Sequence, residues 1–477
     1  MIGIILGLFV VVLPVTAFAA PEKEPGTAER GVDAVLLMDS SGSMKKTDPQ
    51  GRRKPAARLF ISLLGNEDRA GIVSFSSYGE ILLGLTDAGG KEQKSFVASV
   101  EKVNSRGPYT NILDAVKRGH DVLSSSTKKD RVMILMSDGQ MDVGSSDQDK
   151  ALSSELITKL LPEISKSGIK VYTIAFTDQS DQPFLEEIAR KTGGAFRVAR
   201  TDADLHLVFA SVFEKIKTPD LIPLRGGSFS IDKNIQEVTL LITRKSPSTA
   251  VIITDPQSRR LTSKKPGPDV QWFGSGVFDM VTVKRPLPGI WGVRFNSDEG
   301  NKVFVITDLR LRSSFNVDFV PEGRKLMLDA WIEKEGKPLD NRVILEHIRF
   351  SASMKSPGSE PVPLKLTPAS GEGAKPGVYQ AEFTADRPGD YAINLLAEAE
   401  TFRREKDFIF KVIKQAQPVP AAPVVQAPPR KVEPRDPPVQ WSSVLLTFAA
   451  INGAIFLLIA GAYCGRKYLH RTRGTPR

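Results

Sequence analysis

Cysteine is almost missing from this chain: its 477 residues include only Cys464, near the C-terminal end. The rest of the chain cannot form an internal disulfide and must be stable through its hydrophobic cores alone. None of the ten asparagines stands in an N-x-S/T glycosylation acceptor. Extracellular eukaryotic domains usually carry disulfides, at least when small, so the two absences together favour a bacterial envelope protein.

Histidine is scarce as well, and nucleophilic catalysis has little support. The four histidines are His120, His206, His347 and His470. No nucleophile elbow lies near them, and the chain has no glycine loop of the kind that cradles phosphates. The sequence therefore predicts neither a histidine-based catalytic triad nor a phosphate-binding loop.

One enzyme class has a partial match. The three elements of penicillin-binding serine hydrolases occur in order as Ser43-Met44-Lys45-Lys46, Ser137-Asp138-Gly139 and Lys191-Thr192-Gly193. The context argues against this alternative, because Ser43 follows a buried strand and Lys191 stands where a helix ends. Gly139 also replaces the expected asparagine. We therefore predict that the protein is not an enzyme.

Long apolar runs occur only at the two ends of the chain. Residues 2–18 are almost wholly apolar and are followed by Ala19, which predicts a signal peptide over 1–19. No Lys or Arg precedes this run, so an uncleaved anchor is the alternative. Residues 441–463 form the second run, long enough for one transmembrane helix, and a basic tail follows at 464–477. By the positive-inside rule the tail is cytoplasmic and the N-terminal part is periplasmic or extracellular.

The membrane placement changes how other features are interpreted. The net charge of +10 does not indicate a nucleic-acid partner, because most of the chain lies on the wrong side of the cell membrane. Within the predicted transmembrane helix, Asn452 is flanked by small residues, and Ala449 and Gly453 are four apart. Such a face can bind a second helix, although a merely tolerated asparagine is an equal alternative.

Between the two ends the chain has two kinds of pattern. Residues 31–217 alternate short apolar strands with amphipathic helices, which predicts a doubly wound, Rossmann-like α/β domain. The strands are expected at 34–38, 70–75, 81–83, 132–136, 170–175 and 195–198, and the helices at 55–64, 112–123, 152–164, 184–191 and 204–216. Residues 218–310 and 311–414 lack helical periods and predict two all-β, Ig-like sandwiches. Residues 415–440 are a proline-rich linker.

A group of oxygen-bearing side chains marks the carboxyl ends of two predicted strands. Asp39, Ser41 and Ser43 follow the first strand, and Asp138 follows the strand at 132–136. Thr110 opens the helix at 112–123. In a parallel sheet these ends share one edge, where open α/β sheets bind ligands. Hard oxygen donors without His or Cys suit Mg²⁺, Mn²⁺ or Ca²⁺. The alternative is that these residues only cap helices and turns.

This constellation resembles the metal-ion-dependent adhesion site of von Willebrand factor A (VWA) domains. The likeness covers roughly residues 31–217 and includes the Ile188–Gly194 segment, similar to one before the family's last strand. It implies that Ser41 and Ser43 bind the metal directly and that Thr110 does so when a ligand is present. Asp39 and Asp138 would bind directly or through water. One departure is Tyr109, where many members have glycine.

The resemblance also implies the kind of partner. Mg²⁺ is the family's usual ion, and an Asp or Glu of a protein ligand completes its coordination. We therefore expect a metal-dependent protein-binding protein, either an adhesin or a scaffold for an envelope complex. A VWA domain with a purely structural role is a further alternative.

Overall fold

The computed structural model describes residues 31–414, apart from 139, 179, 296–299 and 372–374, and also residues 452 and 461. The predicted signal peptide, linker and tail lie outside the described residues, as does the predicted transmembrane helix apart from Asn452 and Gly461. Ala449 and Gly453 are among the residues not described. Among the residues that are described, no helix is long and apolar enough to cross a membrane.

The first part of the described chain is a six-stranded sheet. Its strands are β1 (Val32–Asp39), β2 (Arg69–Phe75), β3 (Gly79–Asp87), β4 (Asp130–Ser137), β5 (Ile169–Ala175) and β6 (Phe196–Val198). They stand in the order β3-β2-β1-β4-β5-β6, and only β3 is antiparallel to its neighbour. Every residue of β1 is buried, as expected for a parallel strand covered on both faces.

Helices cover both faces of this sheet. They are α1 (Met44–Thr47), α2 (Arg53–Leu63), α3 (Gln93–Lys102), α4 (Ile112–Leu123), α5 (Ser146–Glu155), α6 (Leu161–Lys166), α7 (Gln182–Thr192) and α8 (Leu205–Lys217). A π-helical turn, Leu156–Leu160, joins α5 to α6. Local sequence fixes several ends. Asn111 caps α4 by accepting a hydrogen bond from the Asp114 amide, and Gly193 ends α7 with a φ of 69°.

The rest of the described chain is rich in β-structure. The strands up to residue 307 are β7 (Asp220–Leu221), β8 (Ser228–Ile231), β9 (Ile235–Thr243), β10 (Ile252–Thr254), β11 (Arg260–Leu261), β12 (Val270–Gly274), β13 (Phe278–Lys284), β14 (Gly289–Arg294) and β15 (Lys302–Thr307). The later strands are β16 (Leu309–Arg312), β17 (Phe319–Pro321), β18 (Arg324–Lys334), β19 (Lys337–Pro338), β20 (Arg349–Lys355), β21 (Val362–Leu364), β22 (Thr367–Pro368), β23 (Tyr379–Ala385), β24 (Gly389–Glu398) and β25 (Arg403–Ile413). One short helix, α9 (Arg342–Leu345), accompanies them.

The β-strands form three sheets around two cores. A four-stranded sheet has the order β11-β10-β14-β8, and a five-stranded sheet is built on β16, β18, β23 and β22 with β19 at its side. The third sheet has ten strands and runs through both predicted sandwich segments, because the two-residue strand β7 pairs with β15 on one side and β25 on the other. One core is made of residues 222–305 and the other of residues 309–412. The predicted α/β domain followed by a β-rich region is confirmed, and the Ig-like character of the sandwiches stays a prediction.

Helix α8 joins the α/β domain to the β-rich region through one shared core. Phe213 of α8 packs edge-on against Phe60 of α2, with ring centroids 6.4 Å apart, and against Phe304 of β15, 5.6 Å apart. Polar contacts reinforce this packing. The imidazole Nε2 of His206 is 3.0 Å from the Thr243 hydroxyl, and the ammonium group of Lys302 is 3.4 Å from the Glu214 carboxylate. Helix α8 is therefore packed against the α/β domain on one side and against the β-rich region on the other.

We expect the substitution Phe213→Ala to destabilise both regions at once. The side chain is 5% exposed, and deletion of a buried phenylalanine ring costs about 3–5 kcal/mol. Calorimetry and circular dichroism should record one transition at a lower temperature. Val208→Ala, a partly buried position of the same helix, is the control and should have a smaller effect. Two separate transitions, of which only one shifts, would contradict the shared core.

Candidate metal centre

The end of β1 places a carboxylate in a fully buried position. Asp39 has no exposed surface, and both of its carboxylate oxygens accept hydrogen bonds. The Ser41 amide donates to Oδ1 over 2.8 Å, and the Ser137 hydroxyl at the end of β4 donates to Oδ2 over 2.7 Å. The side chain is therefore fixed between two neighbouring parallel strands.

Three further side chains that the sequence predicted for the site are linked to one another. The hydroxyl oxygens of Ser41 and Ser43 are 2.9 Å apart, and the Ser43 hydroxyl donates to Oδ1 of Asp138 over 2.8 Å. Asp138 follows β4 directly, and its other carboxylate oxygen accepts a hydrogen bond from Thr47 of α1. Ser43 is exposed, whereas Ser41 and Asp138 are buried, so the cluster opens to the surface at Ser43.

Thr110 lies on a loop that the backbone ties to the same edge of the sheet. The Gly107 amide donates to the Ser40 carbonyl over 3.0 Å, and the Gly42 amide donates to the Gly107 carbonyl over 2.7 Å. Thr110 itself is buried and exchanges two backbone hydrogen bonds with Asp142, of 2.7 and 3.1 Å. The loop therefore follows the end of β1 closely and presents Thr110 where α4 begins.

The spacing of these oxygens fits a small divalent cation. Adjacent ligands of an octahedral Mg²⁺ at about 2.1 Å from the ion are about 3 Å apart. The Ser41–Ser43 and Ser43–Asp138 oxygen pairs, at 2.9 and 2.8 Å, have this separation. Two carboxylates only balance the charge of a divalent ion and the hydroxyls are neutral, so the ion would accept an external carboxylate more readily than one held by four carboxylates. Asp39, Ser41, Ser43 and Asp138, which hydrogen bonds bring together, could hold the ion, and Thr110 lies on the adjoining loop.

Burial makes the charged form of Asp39 unfavourable. Burial, and the nearby charge of Asp138, raise the pKa of Asp39 to about 6, although hydrogen bonds from Ser41 and Ser137 oppose the shift. A buried carboxylate without a cation is costly, and a bound divalent ion would remove that cost.

Several residues that build the site escaped prediction. Ser137, which donates to Asp39, is noted in the sequence only as part of the Ser137-Asp138-Gly139 motif. Thr47, which donates to Asp138, has no sequence signal. Gly107 is needed because a Cβ there would stand 1.9 Å from the Ser76 hydroxyl oxygen. A hydroxyl that precedes a strand-end carboxylate, as Ser137 precedes Asp138, is the sequence feature that could have indicated one of them.

Tyr109 does not have to block the site. A Cβ at Gly144 would stand 2.8 Å from the Tyr109 ring, so this ring packs against the Gly144 backbone. The side chain is 39% exposed and lines a shallow depression with Ser77, Asn111 and neutral residues around α5. The larger residue therefore adds an aromatic wall beside Thr110.

The elements of the serine hydrolase pattern have structural roles. Thr192 lies in the last turn of α7, where its hydroxyl contacts the Ile188 and Ala189 carbonyls and accepts from the Val171 amide. Gly193 is the left-handed residue that ends that helix. In a serine hydrolase the K-T-G element lies on a strand, and neither Thr192 nor Gly193 does so here.

The fold and the oxygen cluster define an open α/β domain with a candidate ligand site at the carboxyl edge of its parallel strands. Residues 33–213 match the family model described as von Willebrand factor type A domain. This stretch of the chain is therefore a VWA domain. Residues 223–308 match a second model, described as Hemicentin galactose-binding domain-like.

Curated relatives share the first part of the chain. The inter-alpha-trypsin inhibitor heavy chain H4 of Sus scrofa is 26% identical over 219 residues, which are 43% of this chain and 22% of that protein. The uncharacterized protein sll0103 of Synechocystis is 26% identical over 188 residues, 39% of this chain and 42% of that protein. The chain thus spans less than half the length of these relatives.

Solved structures also resemble the chain, at low sequence identity. A von Willebrand factor type A protein from Catenulispora acidiphila is 11% identical with a TM-score of 0.34, and covers 81% of this chain and 67% of its own. The vWF domain of the type V pili tip protein Mfa5 from Porphyromonas gingivalis is 14% identical with a TM-score of 0.31, and covers 39% of this chain and 95% of its own.

The raised pKa of Asp39 predicts how the metal-free protein responds to pH. Its pKa is about 6 when folded and near 3.8 when unfolded, so the folded state holds the proton more tightly. Asp39 therefore destabilises the protein above pH 6, and this cost, roughly 3 kcal/mol, disappears as the pH falls towards 4. Urea unfolding in EDTA, compared between wild type and Asp39→Asn, measures how much the charge of Asp39 contributes to the free energy of unfolding.

Asp39→Asn should be more stable than wild type at pH 7.5, and the difference should vanish near pH 4. The side-chain amide of this variant can still accept a hydrogen bond from the Ser41 backbone amide and can donate one to the Ser137 hydroxyl. Both hydrogen bonds of the wild-type side chain thus have a counterpart in the variant. Asp121→Asn, an exposed carboxylate of α4, is the control. Equal stability of wild type and Asp39→Asn at pH 7.5 would contradict the strained carboxylate.

Proposed function

We propose that this protein binds other proteins through a divalent ion, Mg²⁺ by preference, held by Asp39, Ser41, Ser43, Thr110 and Asp138. When bound, the ion would supply an electrophilic position for a carboxylate of the partner. The observation that carries the proposal is the hydrogen-bonded chain from Asp39 to Asp138 at the exposed edge of the sheet. The match to the VWA family, whose domains mediate protein–protein contacts, supports it.

Each residue has a defined part in this scheme. Ser41 and Ser43 supply neutral oxygens, which leave the ion available to an anionic partner. Asp39 and Asp138 supply the negative charge and accept hydrogen bonds from Ser137 and Thr47, which orient them. The chain's own residues would thus position a cation, and the burial of Asp39 would exclude water from one side of it.

The placement in the cell is part of the proposal. Residues 441–463 would anchor the chain in the cell membrane, with the basic tail at 464–477 in the cytoplasm. The VWA domain and the β-rich region would then face the periplasm or the exterior, on a proline-rich linker at 415–440. An adhesin would meet an external ligand there, and an envelope scaffold would meet a neighbouring membrane protein.

Metal binding can be measured without a partner. We expect Mg²⁺ and Mn²⁺ to bind with one-to-one stoichiometry in calorimetry and to raise the melting temperature. Ser43→Ala and Asp138→Ala should weaken binding by at least about tenfold, or ~1.4 kcal/mol. Affinity should also fall as the pH drops below about 6, because a proton competes for Asp39. Asp121→Ala is the control, and identical metal affinity in all variants would exclude this site.

Partner binding is tested by capture from native membranes and from the medium. Partners should be retained by the full-length protein in Mg²⁺ and lost in EDTA and with Asp39→Ala, while Asp121→Ala keeps them. A captured membrane protein would favour the scaffold, and an external ligand the adhesin. Partners that persist in EDTA and with Asp39→Ala would show that recognition uses another surface.

A further inference from the structure

A cavity with a basic rim opens in the β-rich region, and the proposed function does not use it. Its walls come from the turn at 255–261, from 265–270 and from 283–287, with Trp291 of β14 behind them. The apolar side chains of Leu261, Val270 and Leu287 are part of its lining and are only partly exposed. None of the lining residues belongs to the VWA domain.

Positive charge is concentrated around this cavity. Five cationic side chains line it, against the two carboxylates of Asp255 and Asp269: Arg259, Arg260, Lys265, Lys284 and Arg285. Within the described part of the chain, Arg260 and Lys265 take part in no ion pair, and Lys284 makes none within 4 Å but stands opposite Glu237 where β13 pairs with β9. The lining of the cavity therefore carries more positive than negative charge, and Arg260 and Lys265 are the cations that no carboxylate of the described residues pairs with.

The two carboxylates do not cancel this excess. Asp255 has a side chain that is 1% exposed and bound to its own turn, where it accepts from the Gln257 amide and from the amide and guanidinium of Arg259. Asp269 meets Arg285 at 3.2 Å, but these side chains are 56% and 84% exposed. Such a surface ion pair is worth less than about 1 kcal/mol and yields readily to a competing anion.

The backbone holds the rim in place. Ser258 has a φ of 61° and Arg285 a φ of 49°, a left-handed conformation that non-glycine residues seldom adopt. The Arg285 amide donates to the Gln236 carbonyl over 2.7 Å, which fixes that turn to the start of β9. Rare backbone conformations persist where the surrounding structure enforces them, and they are frequent at ligand sites.

We propose that this cavity binds an acidic oligosaccharide. Carboxylate or sulfate groups of the sugar would meet Arg260, Lys265 and Lys284 at the rim, and the C–H face of a sugar ring would lie on the apolar side chains of the lining. An extended acidic peptide fits less well, because the edge strand β11 has only two residues to pair with a peptide strand. A lipid bilayer fits less well too, since the apolar side chains of the lining are only partly exposed.

The test uses full-length protein in detergent and four hexameric probes in calorimetry. The probes are a heparin-derived sulfated hexasaccharide, a polygalacturonate hexamer, neutral maltohexaose and a hexaglutamate peptide. We expect at least one of the two acidic saccharides to bind, and a comparison of the two shows whether sulfate or carboxylate groups are preferred. Maltohexaose and hexaglutamate should bind at least about tenfold more weakly, ~1.4 kcal/mol. Asp39→Ala should leave this binding unchanged, since the metal site is separate.

Matched triple variants separate the cavity from general charge. Arg260→Ala/Lys265→Ala/Lys284→Ala should weaken saccharide binding by at least about tenfold, ~1.4 kcal/mol. Lys233→Ala/Arg294→Ala/Lys334→Ala removes the same charge from exposed residues outside the cavity and should change affinity less than about twofold, ~0.4 kcal/mol. Equal losses in the two variants, hexaglutamate binding as tight as the saccharide, or no saccharide binding by folded protein would overturn the proposal.

Discussion

The structure of the candidate site depends on one constraint, a carboxylate that must be satisfied without water at the end of the central strand. Strand β1 is buried along its whole length between β2 and β4, and Asp39 is its last residue. Because no solvent reaches this group, neighbouring loops must supply its hydrogen bonds. The Ser41 amide and the Ser137 hydroxyl do so, and they bring the ends of β1 and β4 into one cluster. These hydrogen bonds do not remove the cost of burying the negative charge of Asp39, and a bound cation would.

A second constraint connects the α/β domain to the rest of the chain. Helix α8 buries Phe209 and Phe213 against the core of the VWA domain, and the same core continues to Phe278 and Phe304 in the β-rich region. A helix shared in this way cannot change its packing on one side without affecting the other. The β-rich region is thus a structural continuation of the VWA domain, and the basic cavity at 255–291 belongs to that continuation.

Much of the α/β domain could be predicted from the sequence because its patterns are strong. The helix expected at 112–123 is α4, and each of the six expected strands overlaps one in the sheet. Helix α3 was not predicted, since only Phe96, Ser99 and Val100 of its ten residues are buried and its apolar period is short. The two-residue strand β7 has no period at all, so the sheet that it continues into β25 could not be foreseen. The candidate ligands were found because they end strands, whereas Thr47 and Gly107 act through contacts that only the folded chain reveals.

Anomalous diffraction from crystals of the protein soaked in Mn²⁺ tests the central claim most directly. We expect one strong peak at the edge of the sheet, about 2.2 Å from the hydroxyl oxygens of Ser41 and Ser43. The same crystals of Asp39→Asn should show a weak peak or none. A saturating Mn²⁺ soak that leaves the wild-type cluster without a peak, or that places the ion elsewhere, would contradict the account.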